Sequence, residues 1–176
     1  MSHLLASRLV RLAPSLAAVL ALGAPAAAQI VLEPPASLPL THLTQGVLVA
    51  DVNADGHADL ISQPRFEFAF NKPHVSVLLG AGDGSFGAPV VTTLATTSSG
   101  RGCTAFIDRD GFPDLALTYT TTSNNGITLL FGNGDGTFTV GPSQVFPLGL
   151  GSGGLTEVLP ADLTGDGLLD FVLVEA

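Results

Sequence analysis

Tryptophan is absent from this chain of 176 residues, and cysteine, methionine and tyrosine occur once each. The single thiol, Cys103, has no partner for an internal disulfide, so covalent bridges do not hold the fold together. Only Tyr119 remains as a polar aromatic, which leaves little for a sugar-stacking platform built on Tyr or Trp. Charge is scarce as well, at 12% of residues, with six Lys and Arg in total. Beyond Arg8 and Arg11 near the N-terminus, the basic residues are Arg65, Lys72, Arg101 and Arg109, too few to track a phosphate backbone; nucleic-acid binding is excluded on that ground. What the chain has instead is 46% apolar residues, 21 Gly and 12 Pro. Many short strands joined by Gly, Pro, Asn and Asp turns give that composition, whereas long helices want more Glu, Lys and Ala in periodic runs.

The N-terminus reads as a secretory signal over residues 1–28. Arg8 and Arg11 precede an apolar run over 12–22, and small residues at Ala26 and Ala28 fit an A-x-A cleavage site that makes Gln29 the mature start. Pro14, Gly23 and Pro25 leave this run short of the ~20 residues a helical span needs, and no other segment is a candidate span. The expectation is a secreted, periplasmic or cell-surface protein with no membrane span after signal removal. Residues 29–44, with Pro34, Pro35 and Pro39, form an extended lead-in with an edge strand at 30–32.

The net charge of −9 is concentrated rather than spread. Nine of eleven Asp residues fall in three loops: Asp51-Val-Asn53-Ala-Asp55-Gly56-His57-Ala-Asp59, Phe106-Ile-Asp108-Arg-Asp110-Gly111-Phe112-Pro-Asp114, and Asp162-Leu-Thr164-Gly-Asp166-Gly167-Leu168-Leu-Asp170. Oxygen-bearing side chains at the first, third, fifth and ninth positions, with glycine at the sixth, are what a loop wrapped around an oxygen-loving cation requires, and calcium takes six to eight such oxygens. The second loop has Phe106 in the first position and Arg109 among its acids, so it offers fewer ligands. Gly56, Gly111 and Gly167 are spaced by 55 and 56 residues, the mark of a repeat protein.

Each repeat follows one plan. Residues 46–52 and 60–63 flank the first loop as strands, and Arg65-Phe66-Glu-Phe68-Ala-Phe70 alternates with period two as a further strand or extension. Val75-Ser-Val-Leu-Leu-Gly80 is a third strand, Gly82-Asp83-Gly84 a hairpin turn, and residues 90–94 a fourth strand. The second repeat has strands at 104–107, 115–120 and 127–132, a turn at Asn133-Gly-Asp135-Gly136, and finishing strands at 138–140 and 144–146. The third stops after its loop and the strand at 171–174. The fold class is therefore all-β, with antiparallel four-stranded blades of a β-propeller, about two and a half in number. Blade 1 spans 45–100, blade 2 spans 101–154, and an incomplete blade 3 spans 155–176.

Together, the Asp loops and the runs Val75–Phe86 and Phe131-Gly-Asn-Gly-Asp-Gly-Thr-Phe138 resemble the FG-GAP-like (VCBS-type) repeat, related to the N-terminal propeller of integrin α subunits. Phe86-Gly-Ala-Pro89 is similar to the motif that names the family, and the resemblance covers roughly 44–176. It implies calcium at Asp51, Asn53, Asp55 and Asp59 with the His57 carbonyl. The third loop corresponds through Asp162, Thr164, Asp166 and Asp170 with the Leu168 carbonyl. In the second, only Asp108, Asp110, Asp114 and the Phe112 carbonyl remain, and the loss of one carboxylate is expected to weaken that site.

A plainer reading stands beside this one. Asp, Asn and Gly are ordinary turn residues, and the loops can be tight turns held by side-chain-to-backbone hydrogen bonds. An EF-hand fails, because the twelfth position holds Ser62, Leu117 or Leu173 in place of Glu. No catalytic constellation is evident: the carboxylates recur as sets with the repeat, His42 and His74 lack partners at metal or triad spacing, and Cys103, one period after Leu48, is expected as a buried thiol. Phe86, Phe131 and Phe138 are expected between blades. The expected function is a secreted calcium-binding module for binding or adhesion to a protein or glycan ligand, not an enzyme. Further blades would come from self-association or a longer chain, and the alternative is an accessory part of a larger propeller enzyme.

Overall fold

A computed structural model of the chain describes residues 4–6, 10–11, 31–32, 36–38, 40, 44–64, 73–94, 101–120, 124–147 and 154–175. Contacts divide the chain into two units, His3–Pro39 and Leu40–Ala176. The first holds two short antiparallel pairs, β1 (Leu4–Ala6) with β4 (Ala36–Leu38) and β2 (Val10–Arg11) with β3 (Val31–Leu32). The expected edge strand at 30–32 is met over Val31–Leu32 by β3, whereas the apolar run at 12–22, the cleavage residues Ala26 and Ala28, and Gln29 lie outside the described residues. No helix occurs among the described residues, and none is long and apolar enough to cross a membrane.

The second unit is the repeat. In the first blade β5 (Thr44–Ala50), β6 (Asp59–Pro64), β7 (His74–Leu78) and β8 (Val90–Thr93) form a four-stranded antiparallel sheet in sequence order. The second blade repeats it with β9 (Gly102–Ala105), β10 (Asp114–Thr120), β11 (Asn124–Gly132) and β12 (Phe138–Pro147). β13 (Leu155–Ala161) and β14 (Asp170–Glu175) form a hairpin alone. The ladders place Leu48 opposite Ile61, Cys103 opposite Ala116, and Leu159 opposite Val172. These are equivalent pairs one repeat apart, so the repeat is a repeat of register as well as of sequence.

One expectation shifts in detail. The separate strands at 138–140 and 144–146 are one strand, β12, with a register irregularity opposite Thr128 to Leu130. Pro142 lies there without an N–H to donate, which an edge strand with a bulge tolerates. The alternating run with Phe66, Phe68 and Phe70 lies outside the described residues, as do Arg65, Lys72 and His42.

Strand alternation builds the core between sheets. In β10, Leu115 and Leu117 are fully buried with Val52, Ile61, Val75 and Val77 of the first blade. Ala116, pointing the other way, packs with Val158, Phe171 and Leu173 of the third repeat. β10 is thus buried on both faces, which accounts for the three consecutive apolar residues Leu115, Ala116 and Leu117. Of the three expected inter-blade rings, Phe138 is buried in the first cluster, while Phe86 and Phe131 are half-buried. Cys103 is half-buried beside the second cluster. Gln63 also reaches across, its Nε2 donating to the Gly102 carbonyl at 2.9 Å, and the Phe138 N–H donates to Thr92 Oγ1 at 3.1 Å.

At equivalent places in the two complete blades a glycine is fixed by a close approach to the loop. A Cβ on Gly80 would run into the Ala58 carbonyl, and one on Gly132 into the Pro113 carbonyl, so the third strand passes tightly against the loop. The obstacle is backbone and cannot swing aside. Gly132→Ala is accordingly expected to lower stability by about 1–3 kcal/mol, read as a drop in the denaturant midpoint; an unchanged midpoint would show that the loop yields freely.

Candidate metal-binding loops

Each loop is a turn between two paired strands, and its backbone is shaped by two left-handed residues. The sixth-position glycines Gly56, Gly111 and Gly167 have φ of 85°, 101° and 81°. The fourth position is left-handed as well, at Ala54 (58°), Arg109 (66°) and Gly165 (76°). Only the third loop carries glycine there; the other two hold a side chain in a conformation that costs roughly 1–2 kcal/mol.

The ninth-position aspartates are the most constrained residues of the loops. Asp59 and Asp114 are fully buried. Asp59 Oδ2 accepts the Val52 N–H at 2.9 Å and its Oδ1 accepts the Gly80 N–H at 2.8 Å. Asp114 repeats this: Oδ2 takes the N–H groups of Ile107 (2.6 Å) and Asp108 (3.2 Å), and Oδ1 takes that of Gly132 (2.9 Å). Each carboxylate therefore ties the start of its loop to the end of the third strand. Asp170 makes the first half of this clamp only, its Oδ2 accepting the Leu163 N–H at 3.0 Å.

The earlier positions fold the loop onto itself. Asp51 accepts the N–H groups of Asp55 (3.1 Å) and Gly56 (2.8 Å), and Asp162 those of Gly165 (2.7 Å) and Gly167 (2.9 Å). The fifth-position residues Asp55, Asp110 and Asp166 each accept the N–H two residues on, at 2.8 Å, from His57, Phe112 and Leu168. The Asn53 and His57 N–H groups hold the Asp55 carboxyl below its usual range, and the Gly167 and Gly165 N–H groups do the same for Asp162. In the first loop Asn53 turns its amide nitrogen onto Asp55 Oδ2, at 2.9 Å. Side-chain-to-backbone bonds of the kind a plain turn needs are thus in place in all three loops. They leave room for a cation, because each carboxylate oxygen carries more than one lone pair.

Convergence separates the loops. One ligand atom from each of Asp108, Asp110 and Asp114 lies within 4.8 Å of the others, and among the described residues this is the one such acidic group. Oxygens bound to one calcium at about 2.3–2.6 Å stand no farther apart than about 5 Å, so the three can meet on one ion. The second loop, expected to be weakest because of Phe106, is the one whose carboxylates are gathered. Here the exposed Asp108 accepts the Asp110 N–H at 3.0 Å, as the third-position Asn53 accepts the Asp55 N–H at 3.2 Å in the first loop. Phe106 instead lies 56% exposed beside Asp51 and Ala54, in a cleft of about 390 Å³ between the first and second loops. Arg109 donates from Nη2 to the Gly167 carbonyl, tying the second loop to the third.

The seventh-position residues, expected to contribute only a carbonyl, have side-chain roles. A Cβ on Gly82 would come within 2.5 Å of the His57 ring, and one on Gly134 within 2.5 Å of the Phe112 ring, so each ring rests on a hairpin glycine. Leu168, which no hairpin covers among the described residues, is 59% exposed. The hairpin acids are turn caps: Asp83 Oδ1 takes the Ser85 N–H and hydroxyl, and Asp135 Oδ1 those of Thr137. The Thr137 hydroxyl and N–H hold the Asp135 carboxyl below its usual range. Burial pushes the Cys103 thiol up to about 11, which keeps it protonated and unreactive.

Two outcomes follow from this geometry. In chelator, Asp114→Ala is expected to cost about 3 kcal/mol or more, since it orphans three loop and strand N–H donors at roughly 1–3 kcal/mol each. Asp110→Ala, which loses one exposed turn bond, is expected to cost under about 1 kcal/mol by urea unfolding; equal losses would mean that the ninth position has no special structural role. A lowered folded pKa, as at Asp135, gives stability that is complete above the usual value of 3.8 and lost as pH falls through the lower folded value. The urea midpoint should therefore fall on acidification below about pH 4, and less steeply in Asp135→Asn; an identical acid limb in the variant would contradict the cap.

Residues 107–173 match the family model of the FG-GAP-like repeat. A comparison with curated proteins found no match. The matched span begins inside the second Asp loop, passes through β10, β11 and β12, and ends in β14, so it covers the gathered carboxylates and the third loop. This part of the chain is FG-GAP-like repeat sequence, folded as propeller-type blades.

Proposed function

We propose that the chain is a secreted, calcium-stabilised repeat module that binds or adheres to a protein or glycan partner and does no chemistry of its own. The observation that carries the reading is the gathering of Asp108, Asp110 and Asp114 within 4.8 Å, inside FG-GAP-like sequence. Three carboxylates that close repel one another unless a cation sits among them, and an all-oxygen set suits a hard ion such as calcium. Asp51, Asn53, Asp55 and Asp59, and Asp162, Thr164, Asp166 and Asp170, are the further candidate sites, with the carbonyls of His57, Phe112 and Leu168 beside them. Calcium would add to what the backbone bonds already supply, stiffening loops of which the first two each hold one side-chain-bearing residue, Ala54 or Arg109, in the left-handed region. Export, expected from the N-terminal segment, would bring the chain to calcium concentrations at which weak loops fill. A non-catalytic role is supported by the protonated Cys103 thiol and by loop carboxylates spent on backbone N–H groups.

Thermal unfolding with calcium and with chelator tests the proposal. At calcium a hundredfold above Kd the folded state gains about 2.7 kcal/mol per site, seen as a higher Tm. Asp110→Ala should lose the part of that rise owed to the second loop, and Asp166→Ala the part owed to the third. A Tm indifferent to calcium would leave the loops as hydrogen-bonded turns and remove the metal from the account.

A further inference from the structure

The cleft of about 390 Å³ between the first two loops brings together two residues that hold the same position in successive repeats, Asp51 and Phe106. Each directly follows the first strand of its blade, β5 or β9, so the repeat register sets them on one wall. The rest of the wall is small or apolar, with Ala50, Ala54, Ala105 and Pro113 among it, and Thr104 adds a hydroxyl. Among the described residues Asp51 is the one charged group on it. Phe106 is 56% exposed, so its ring is not used by the core. Each Asp51 oxygen accepts one backbone N–H, from Asp55 or Gly56, and keeps a further lone pair. The first-loop carboxylates are not gathered as Asp108, Asp110 and Asp114 are, so Asp51 is not drawn onto a centre shared with Asp55 and Asp59. The neighbouring cation, Arg109, reaches away to the Gly167 carbonyl.

We propose that this cleft binds a small organic cation carrying a quaternary ammonium group, held by the face of Phe106 and the charge of Asp51. An aromatic face attracts a cation brought within about 6 Å of its centre, and quaternary ammonium ions are the ligands most often recognised this way. Such a group is coated with methyls, which suits a wall of alanines and proline, and it needs no acceptor lone pairs. A primary ammonium brings three donors, for which the side chains of the wall offer only the Asp51 carboxylate and the Thr104 hydroxyl. An anion would meet Asp51 with no cation beside it, and a glycan would find one hydroxyl and no amide side chain. The volume lies at the small end of ligand pockets, which suits a solute of few atoms. A phosphocholine headgroup presents the same ammonium but brings a phosphate close to Asp51, so the ligand is a free solute and not a lipid surface. The site shares Asp51 with the first loop, and the binding does not require calcium.

The test is a titration of the isotope-labelled full chain with choline in chelator, followed by NMR shifts, so that failure of the calcium reading leaves the result untouched. Saturable shifts are expected at Asp51, Ala54, Ala105 and Phe106, with a Kd on the order of 1 mM for so small a ligand. Dimethylbutanol, in which carbon replaces the charged nitrogen, should bind at least about threefold more weakly. Phe106→Leu, at an exposed position, should weaken choline about threefold or more through the lost cation–π contact. Asp51→Asn should weaken it about two- to fivefold, as the loss of a partly exposed ion pair does. Glu157→Gln, which removes an exposed acid on β13, should bind as the parent does. An unchanged spectrum away from the cleft reports that each variant folds. No saturable shift, shifts confined to residues outside the cleft, or equal binding of choline and dimethylbutanol would overturn the proposal. So would a loss in Glu157→Gln equal to that in Asp51→Asn, or binding to phosphatidylcholine vesicles in preference to choline.

Discussion

A buried carboxylate that receives backbone N–H groups from two directions is what the blades depend on. At Asp59 and Asp114 the loop has to return its ninth residue to the start of β6 or β10, and the side chain then reaches back to the loop entrance and across to the third strand. Charge-assisted bonds of this kind are about twice as strong as neutral ones, and a buried carboxylate without them would be costly. The glycines follow from the same contact. Gly80 and Gly132 come close enough to donate only because they lack a Cβ, and the rings of His57 and Phe112 then close over the next hairpin glycines. Loop, third strand and hairpin form one mechanical unit in each complete blade.

Metal binding reads differently in that light. The first, third and fifth positions lie on the outside of the loop, exposed or half-exposed and bonded mostly to their own backbone, whereas the ninth is buried at Asp59 and Asp114 and half-buried at Asp170. A cation at such a loop would be held on one side by a carboxylate already fixed in the fold, and on the other by side chains free to turn. The ion would tighten the outer half of the loop and would not create its inner half. Phe106 fits this division. Losing the first carboxylate opens a cleft against the first loop but leaves Asp114 and its three N–H partners intact, so the second blade keeps its geometry.

Much of this architecture was legible in the sequence. Glycine and aspartate punctuate it at a constant period, and only an all-β repeat places apolar runs of four to seven residues between such punctuation; the strands fall where alternation puts them. The gathering of acids into sets was legible too, since nine of eleven Asp are in three loops. What the pattern could not show is how each oxygen is spent. Asp51 and Asp59 look alike on paper, yet one is half-buried at the turn and the other sealed within the blade. The left-handed backbone at Ala54 and Arg109 has a sequence signal only in Gly165 one or two repeats later. The strand-ending glycines Gly80 and Gly132, each in the same place after an apolar run, were the available clue to the clamp, and turn chemistry alone does not reveal it.

The most direct measurement is amide hydrogen exchange at Gly80 and Gly132 in the chelated chain. The clamp predicts that both exchange as slowly as the central strands β6 and β10, and that added calcium slows the outer loop amides, such as Gly56 and Gly167, while leaving these two unchanged. If Gly80 and Gly132 exchange at the rate of exposed loops until calcium is supplied, the carboxylates do not hold the blades together and the ion does.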